Sequence, residues 1–154
     1  MAGHRYYTSA HWTEGRKGIV SAEGVTEPML FSAPPEFMGE SGIWTPEHLL
    51  AAAVASCLVT TFKAIAEFSK FEFLSLQVGV EAILEKEQGG YSVSKIVVQP
   101  VLKIAVACDR ERAIRLMEKA ERACLISRSL KSQMELHSEV LVQAAEAVET
   151  SQRA

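Results

Sequence analysis

Residues 45 to 57 read TPEHLLAAAVASC. Thr45 can cap a helix N-terminus, and Pro46 suits the first helical position, where its missing N–H costs nothing. Glu47 adds a negative charge to the first turn, where the helix dipole favours it. From Leu49 to Phe62 the chain is apolar on nearly every side, interrupted by Ser56, Thr60 and Thr61 and closed by Lys63. The pattern predicts one helix from Pro46 to about Phe68. A helix that is apolar all round belongs in the middle of a fold, so the other elements must cover it. The apolar run falls short of the roughly 20 residues that a membrane span needs.

The flanking segments alternate or break as strands do. HRYYTSAHW, GIVSAEG and PMLFSAP read as short strands, with turns at EGR (14 to 16) and EG (23 to 24). APPEFMGESGIW (33 to 44) reads as a loop punctuated by Pro and Gly. Beyond the helix, LSLQVGVEAILEKE (74 to 87) alternates over Leu76, Val78, Val80 and Ala82. Gly89 and Gly90 signal a hairpin into YSVSKIVVQPVLKIAVA (91 to 107), where Pro100 predicts an edge position or a bulge. Asp109 is placed to cap a helix beginning DRERAIRLMEKAERAC, with Ala113, Ile114, Leu116, Met117, Ala120 and Ala123 as its apolar stripe. A shorter helix or turn follows from Ser127 to Lys131. MELHSEVLVQA (134 to 144) alternates like a last strand, and the polar tail beyond it reads as helical or loose. This order is α+β, built from antiparallel hairpins rather than repeated βαβ units.

A chain of 154 residues suits a single domain, 1 to 154. Its formal net charge of −3 gives no basic footprint for nucleic acid. The start, MAGHRYYTSAHW, lacks the apolar core of a signal peptide, so a cytoplasmic location is expected. Three cysteines, Cys57, Cys108 and Cys124, argue against a disulfide scaffold and leave room for one reactive pair and one structural thiol, for which Cys108 is the candidate. His4, His11, His48 and His137 are dispersed, with no C-x-x-C, H-x-H or H-x-x-x-H spacing, so neither a metal nor another cofactor is expected. G-x-G-x-x-G, Walker A and G-x-S-x-G are absent from the sequence.

Cys57 and Cys124 each fall on or at the end of a predicted helix in an apolar or small-residue setting. Two readings are open. Free cysteine is among the most buried residue types, which makes both core thiols. The other reading needs a thiolate, which a nearby cation would favour and burial would oppose. Arg16, Arg128, Lys131 and Lys63 are the candidate cations. Glu47 either serves the helix dipole or holds an arginine in place. It lies about 15 Å along the helix axis from Cys57 and roughly 80° out of register, so the two cannot touch within one straight helix.

TPEHLLAAAVASC resembles the pattern NPE-x-L-x-A-A-x-x-A-x-C of the OsmC/Ohr family, the osmotically inducible and organic hydroperoxide resistance proteins. AERACLISRSL is similar to that family's A-x-x-x-C-P-x-S segment, and TEGRKGIVSAEG to its arginine-bearing G-R-x-G turn. Leu125 stands where the family often has Pro, and Thr45 where Asn is usual. The resemblance implies an OsmC/Ohr-like fold: antiparallel sheets around a long central helix, in an intertwined homodimer with sites at the subunit interface. It implies a cysteine-based peroxidase acting on organic hydroperoxides. Cys57 would attack the peroxide and Cys124 would resolve the sulfenic acid to a disulfide. Arg16 would favour the thiolate and orient the peroxide, and Glu47 would fix that arginine. Phe37, Met38, Ile43 and Trp44 either line an apolar entrance or pin their loop to the core. A dithiol reductant, a dihydrolipoyl group on a protein, is the implied partner. The alternative is a non-catalytic binding or interaction protein of the same fold with an unreactive thiol pair.

Overall fold

The computed structural model describes residues 2 to 143. The expected tail beyond the last strand lies outside them. The chain divides into two compact units, 1 to 50 and 51 to 154.

The first unit is a three-stranded antiparallel meander of β1 (Thr8–Glu14), β2 (Lys17–Ala22) and β3 (Met29–Ser32). The β1–β2 turn runs through Gly15 at φ +51, a left-handed conformation that glycine adopts without strain, with Arg16 following it. Lys17 bridges Glu14 and Glu40 at 2.9 Å each, fixing the loop after β3 beside this turn. That loop holds a 3-10 turn, Pro35–Phe37, and passes so close to itself at Gly39 that a Cβ there would stand 1.5 Å from the Ala33 carbonyl oxygen.

Helix α1, Pro46–Phe68, starts where the sequence places it. The Thr45 hydroxyl accepts from the His48 N–H at 3.2 Å, and the Thr45 N–H donates back to His48 Nδ1 at 3.2 Å. This is a capping box in which histidine stands in for the usual Glu or Gln. At 23 residues, α1 is long and apolar enough to cross a bilayer by length and composition, which the shorter apolar run in the sequence understates. One face serves a core, where Val54, Leu58, Phe62 and Ala66 form a buried stripe at helical spacing; only 28% of the apolar stretch is buried in the single chain, so the expected cover on nearly every side is not reached there.

In the second unit, β4 (Ser75–Glu87) and β5 (Gly90–Ile104) form the predicted hairpin. α2 (Arg110–Ala123) and α3 (Leu125–Ser129) then lead to β6 (Gln133–Leu136) and β7 (Glu139–Val142). The α+β class stands, but the single last strand expected is two, and both run parallel to β5 rather than antiparallel. Parallel pairing needs a crossover connection, and α2 with α3 supplies it. β5 is the central strand, so Pro100 is neither at an edge nor at the register shift, which falls between Ile83 and Leu84. Pro100 falls in the gap between β6, whose pairing ends opposite Val98, and β7, which begins opposite Val101. Its missing N–H therefore interrupts neither parallel ladder.

Asp109 occupies the position before α2, but its side chain makes no capping bond. It has helical φ and ψ at the end of a 3-10 turn, Ala107–Asp109, that feeds the helix directly. The buried faces of α1, α2 and the sheet form one cluster, including Phe62, Ile96, Leu102 and Met117. Phe62 meets Phe73 edge to face at 5.3 Å. Arg110 Nη1 donates to the Val140 carbonyl at 2.6 Å, tying α2 to β7. Arg112 donates to the Ser69 carbonyl just past α1 and lies 5.3 Å from the Phe71 ring centre.

Candidate functional site

Two helices bring the cysteines together. On α1, Cys57 lies one turn from Val54 and about 100° round from Leu58, on the shoulder of the buried stripe. It is therefore half-buried. On α2, Ala113, Met117 and Ala120 are buried, and Cys124 continues that stripe just past the helix end with 0% exposure. At Cys124 the backbone turns extended (φ −61°, ψ 109°), which ends α2 and starts α3.

This break aims the first amides of α3 at the site. Burial works against ionisation of Cys57, but four donors outweigh it and hold its thiol below the ordinary range: the Ile126 N–H, the Cys124 thiol, the Thr61 hydroxyl and the Leu125 N–H. The Thr61 oxygen, one turn along α1, is 3.9 Å from Cys57 Sγ. Burial pushes the Cys124 thiol the other way, upward, and the neighbouring Cys57 adds to this; the hydroxyl and N–H of Ser127 only partly oppose it. The Ser127 hydroxyl donates to Cys124 Sγ at 3.3 Å, in a buried position. The pair is thus asymmetric: a reachable cysteine biased toward thiolate faces a buried one biased toward thiol.

The donors favouring the Cys57 thiolate are neutral, not the cation expected from sequence. Lys63 is engaged with Glu67 at 3.0 Å, and Arg128 and Lys131 are exposed. Leu125 contributes here because it is not proline: a proline has no N–H to give. Thr61 was legible as the i+4 neighbour of Cys57, and Ser127 stood in the quoted AERACLISRSL. The amide donors had no signature beyond the helix break itself.

The remaining expected site residues belong to the first unit or to the start of α1. Arg16 is exposed in the β1–β2 turn, and among the described residues its guanidinium has no partner. Glu47 is half-buried, and its Oε2 is fully buried without a hydrogen-bond partner among the described residues. An Arg16–Glu47 ion pair is therefore not formed among the described residues of the single chain. Phe37 closes the 3-10 turn and is half-buried, as is Ile43. Met38 is 74% exposed in a left-handed conformation, and Trp44 is 49% exposed, with its ring edge-on to His48 at 6.2 Å. Cys108 is exposed in the 3-10 turn before α2. Among the described residues, no group of three or more His, Cys, Asp or Glu is placed to hold a metal ion.

Comparison with known proteins gives this thiol pair a context. The chain is 33% identical over 145 residues to the uncharacterised protein YmaD of Bacillus subtilis (strain 168), a match that covers 92% of this chain and 97% of YmaD. An OsmC-like protein of Vibrio cholerae has a similar structure, with a TM-score of 0.78 at 20% identity over 88% of this chain and 99% of its own. The organic hydroperoxide resistance protein OhrB of Bacillus subtilis gives a TM-score of 0.64 at 23% identity, covering 89% of this chain and 98% of OhrB. At such identities the two structures speak for the fold. The sequence pattern of the family described as OsmC-like protein matches residues 39 to 139, well over half of the chain. The chain belongs to the OsmC-like protein family.

Proposed function

We propose that this chain is a cysteine-based peroxidase that reduces organic hydroperoxides to alcohols, and H2O2 more slowly, in oxidative-stress defence in the cytoplasm. One observation carries the reading: half-exposed Cys57, biased toward thiolate, lies against buried Cys124. Membership of a family whose structural neighbours include organic hydroperoxide resistance proteins supports it. In the first step the Cys57 thiolate attacks one peroxide oxygen. The O–O bond breaks, an S–O bond forms, and the departing alkoxide takes a proton to become the alcohol. In the second, the Cys124 sulfur attacks the Cys57 sulfenic acid. A disulfide forms, the S–O bond breaks, and the hydroxide released leaves as water with the Cys124 proton. A dithiol, such as a dihydrolipoyl group on a protein, returns the disulfide to thiols.

Arg16 orients the peroxide in this reading, and Glu47 anchors Arg16. The buried, unpartnered Glu47 Oε2 supports a role for that carboxylate in receiving a cation, since leaving it unpaired is costly. In a homodimer the guanidinium can come from either chain. Exposed Met38 and Trp44, with Phe37 and Ile43, suit an apolar entrance for the organic part of the substrate.

Thiol titration before and after one equivalent of cumene hydroperoxide tests the reading. Two thiols per chain should disappear and return with a dithiol reductant, and Cys57→Ser should abolish the loss. No loss, or loss indifferent to Cys57→Ser, rejects it. Arg16, exposed and without a side-chain partner among the described residues, favours a second reading, a non-catalytic binding or interaction protein with an unreactive thiol pair, which the same titration separates from the first.

A further inference from the structure

Ser127 is one of few buried polar side chains in the described structure, 6% exposed beside a cysteine that is 0% exposed. Serine hydroxyls on a helix commonly bond back to the carbonyl four residues earlier. Ser129 does so, donating to the Leu125 carbonyl at 2.7 Å, as does Ser56 on α1 to Ala52 at 2.8 Å. Ser127 instead directs its hydroxyl to Cys124 Sγ at 3.3 Å. The helix break at Cys124 permits this, because it places the sulfur over the first turn of α3.

We propose that Ser127 is a positioning residue for the resolving step, its hydroxyl orienting the buried Cys124 sulfur and stabilising it while it attacks Cys57. The inference rests on the peroxidase reading and assigns Ser127 to its second step alone. Cys124 must lose its proton to become a nucleophile where no solvent can support the charge. A hydrogen bond to an ionised acceptor is about twice as strong as one between neutral groups, so Ser127 assists more as the thiolate develops. Burial that raises the Cys124 thiol makes such help necessary. The Ser127 hydroxyl keeps its own proton, and the Cys124 proton leaves in the water.

Single-turnover stopped flow with cumene hydroperoxide, with dimedone trapping of sulfenic acid, resolves the two steps across pH. Ser127→Ala should form the Cys57 sulfenic acid at the wild-type rate. It should then form the disulfide about tenfold more slowly, the loss expected for one hydrogen bond to a charged group. The pH profile of that second step should move to higher pH, while the profile of the first stays in place. Disulfide formation at the wild-type rate, or an unmoved profile, overturns the assignment. If Ser127→Ala does not fold, as loss of the first step would reveal, Ser127→Thr carries the test. Wild-type resolution in that variant supports the role of the hydroxyl, and slowed resolution behind an intact first step overturns it. Failure of the wild-type protein to form any sulfenic acid removes the peroxidase reading itself, and this inference with it.

Discussion

Cys57 and Cys124 differ by where each falls on its helix. One sits on the shoulder of a buried stripe and the other continues a stripe inward. The identities of both could be read from the sequence. Their difference in ionisation could not, because the deciding donors include backbone N–H groups of Leu125 and Ile126, whose direction depends on the break in the chain at Cys124. The consequence for pH is directional. A lowered thiol pKa means that Cys57 ionises, and so becomes nucleophilic, at lower pH than a free cysteine does. Iodoacetamide labelling followed by peptide mapping should find Cys57 modified well before Cys124, which stays protected until the protein unfolds, alongside labelling of exposed Cys108. Leu125→Pro removes one of the amides, so it should move the Cys57 midpoint upward while the Ile126 amide retains part of the effect. A midpoint unchanged by Leu125→Pro would exclude the Leu125 amide as a contributor.

At the scale of elements, local chemistry made α1 legible: Thr45 and Pro46 set its start, and its apolar residues mark it as a core element. The capping box was half visible, since histidine is not its usual partner residue. Strand direction is not legible in the sequence. Alternation along β6 and β7 reports which faces are buried, and it reads the same for parallel and antiparallel pairing. The place of Pro100 is illegible for a related reason, since its tolerance in a central strand depends on where two other strands stop and start. Phe62, 0% exposed and stacked edge-on with Phe73, is the largest fully buried side chain. Phe62→Ala should destabilise the protein by about 3–5 kcal/mol, read as a lower denaturant midpoint at unchanged slope. A loss under about 1 kcal/mol would mean that the cluster around α1 is not the main core.

For the whole molecule, the second unit pairs Cys57 with Cys124, while in the first unit Arg16 and Glu47 form no ion pair with each other among the described residues. Among the described residues, a buried carboxylate oxygen without a donor and an exposed guanidinium without an acceptor are complementary deficits. Sequence spacing cannot reveal whether one chain or two resolve them. Light scattering should report a homodimer, and Arg16→Ala should slow peroxide reduction by orders of magnitude without changing its mass. Unchanged peroxidase kinetics in Arg16→Ala would remove Arg16 from the site and direct attention to Arg128 or Lys131.

The closeness of the two sulfurs also bears on how long such a protein lasts under stress. A sulfenic acid that meets a second peroxide proceeds to sulfinic acid, which is irreversible for most proteins. In the proposed reaction that second encounter at Cys57 competes with the neighbouring Cys124 thiol, whose effective concentration no dissolved oxidant approaches. Cys124, closed off from solvent, is itself out of reach of a dissolved oxidant. In the proposed peroxidase cycle, the burial that makes Cys124 a reluctant acid would therefore shelter both sulfurs from permanent damage and favour many cycles of use over a single one.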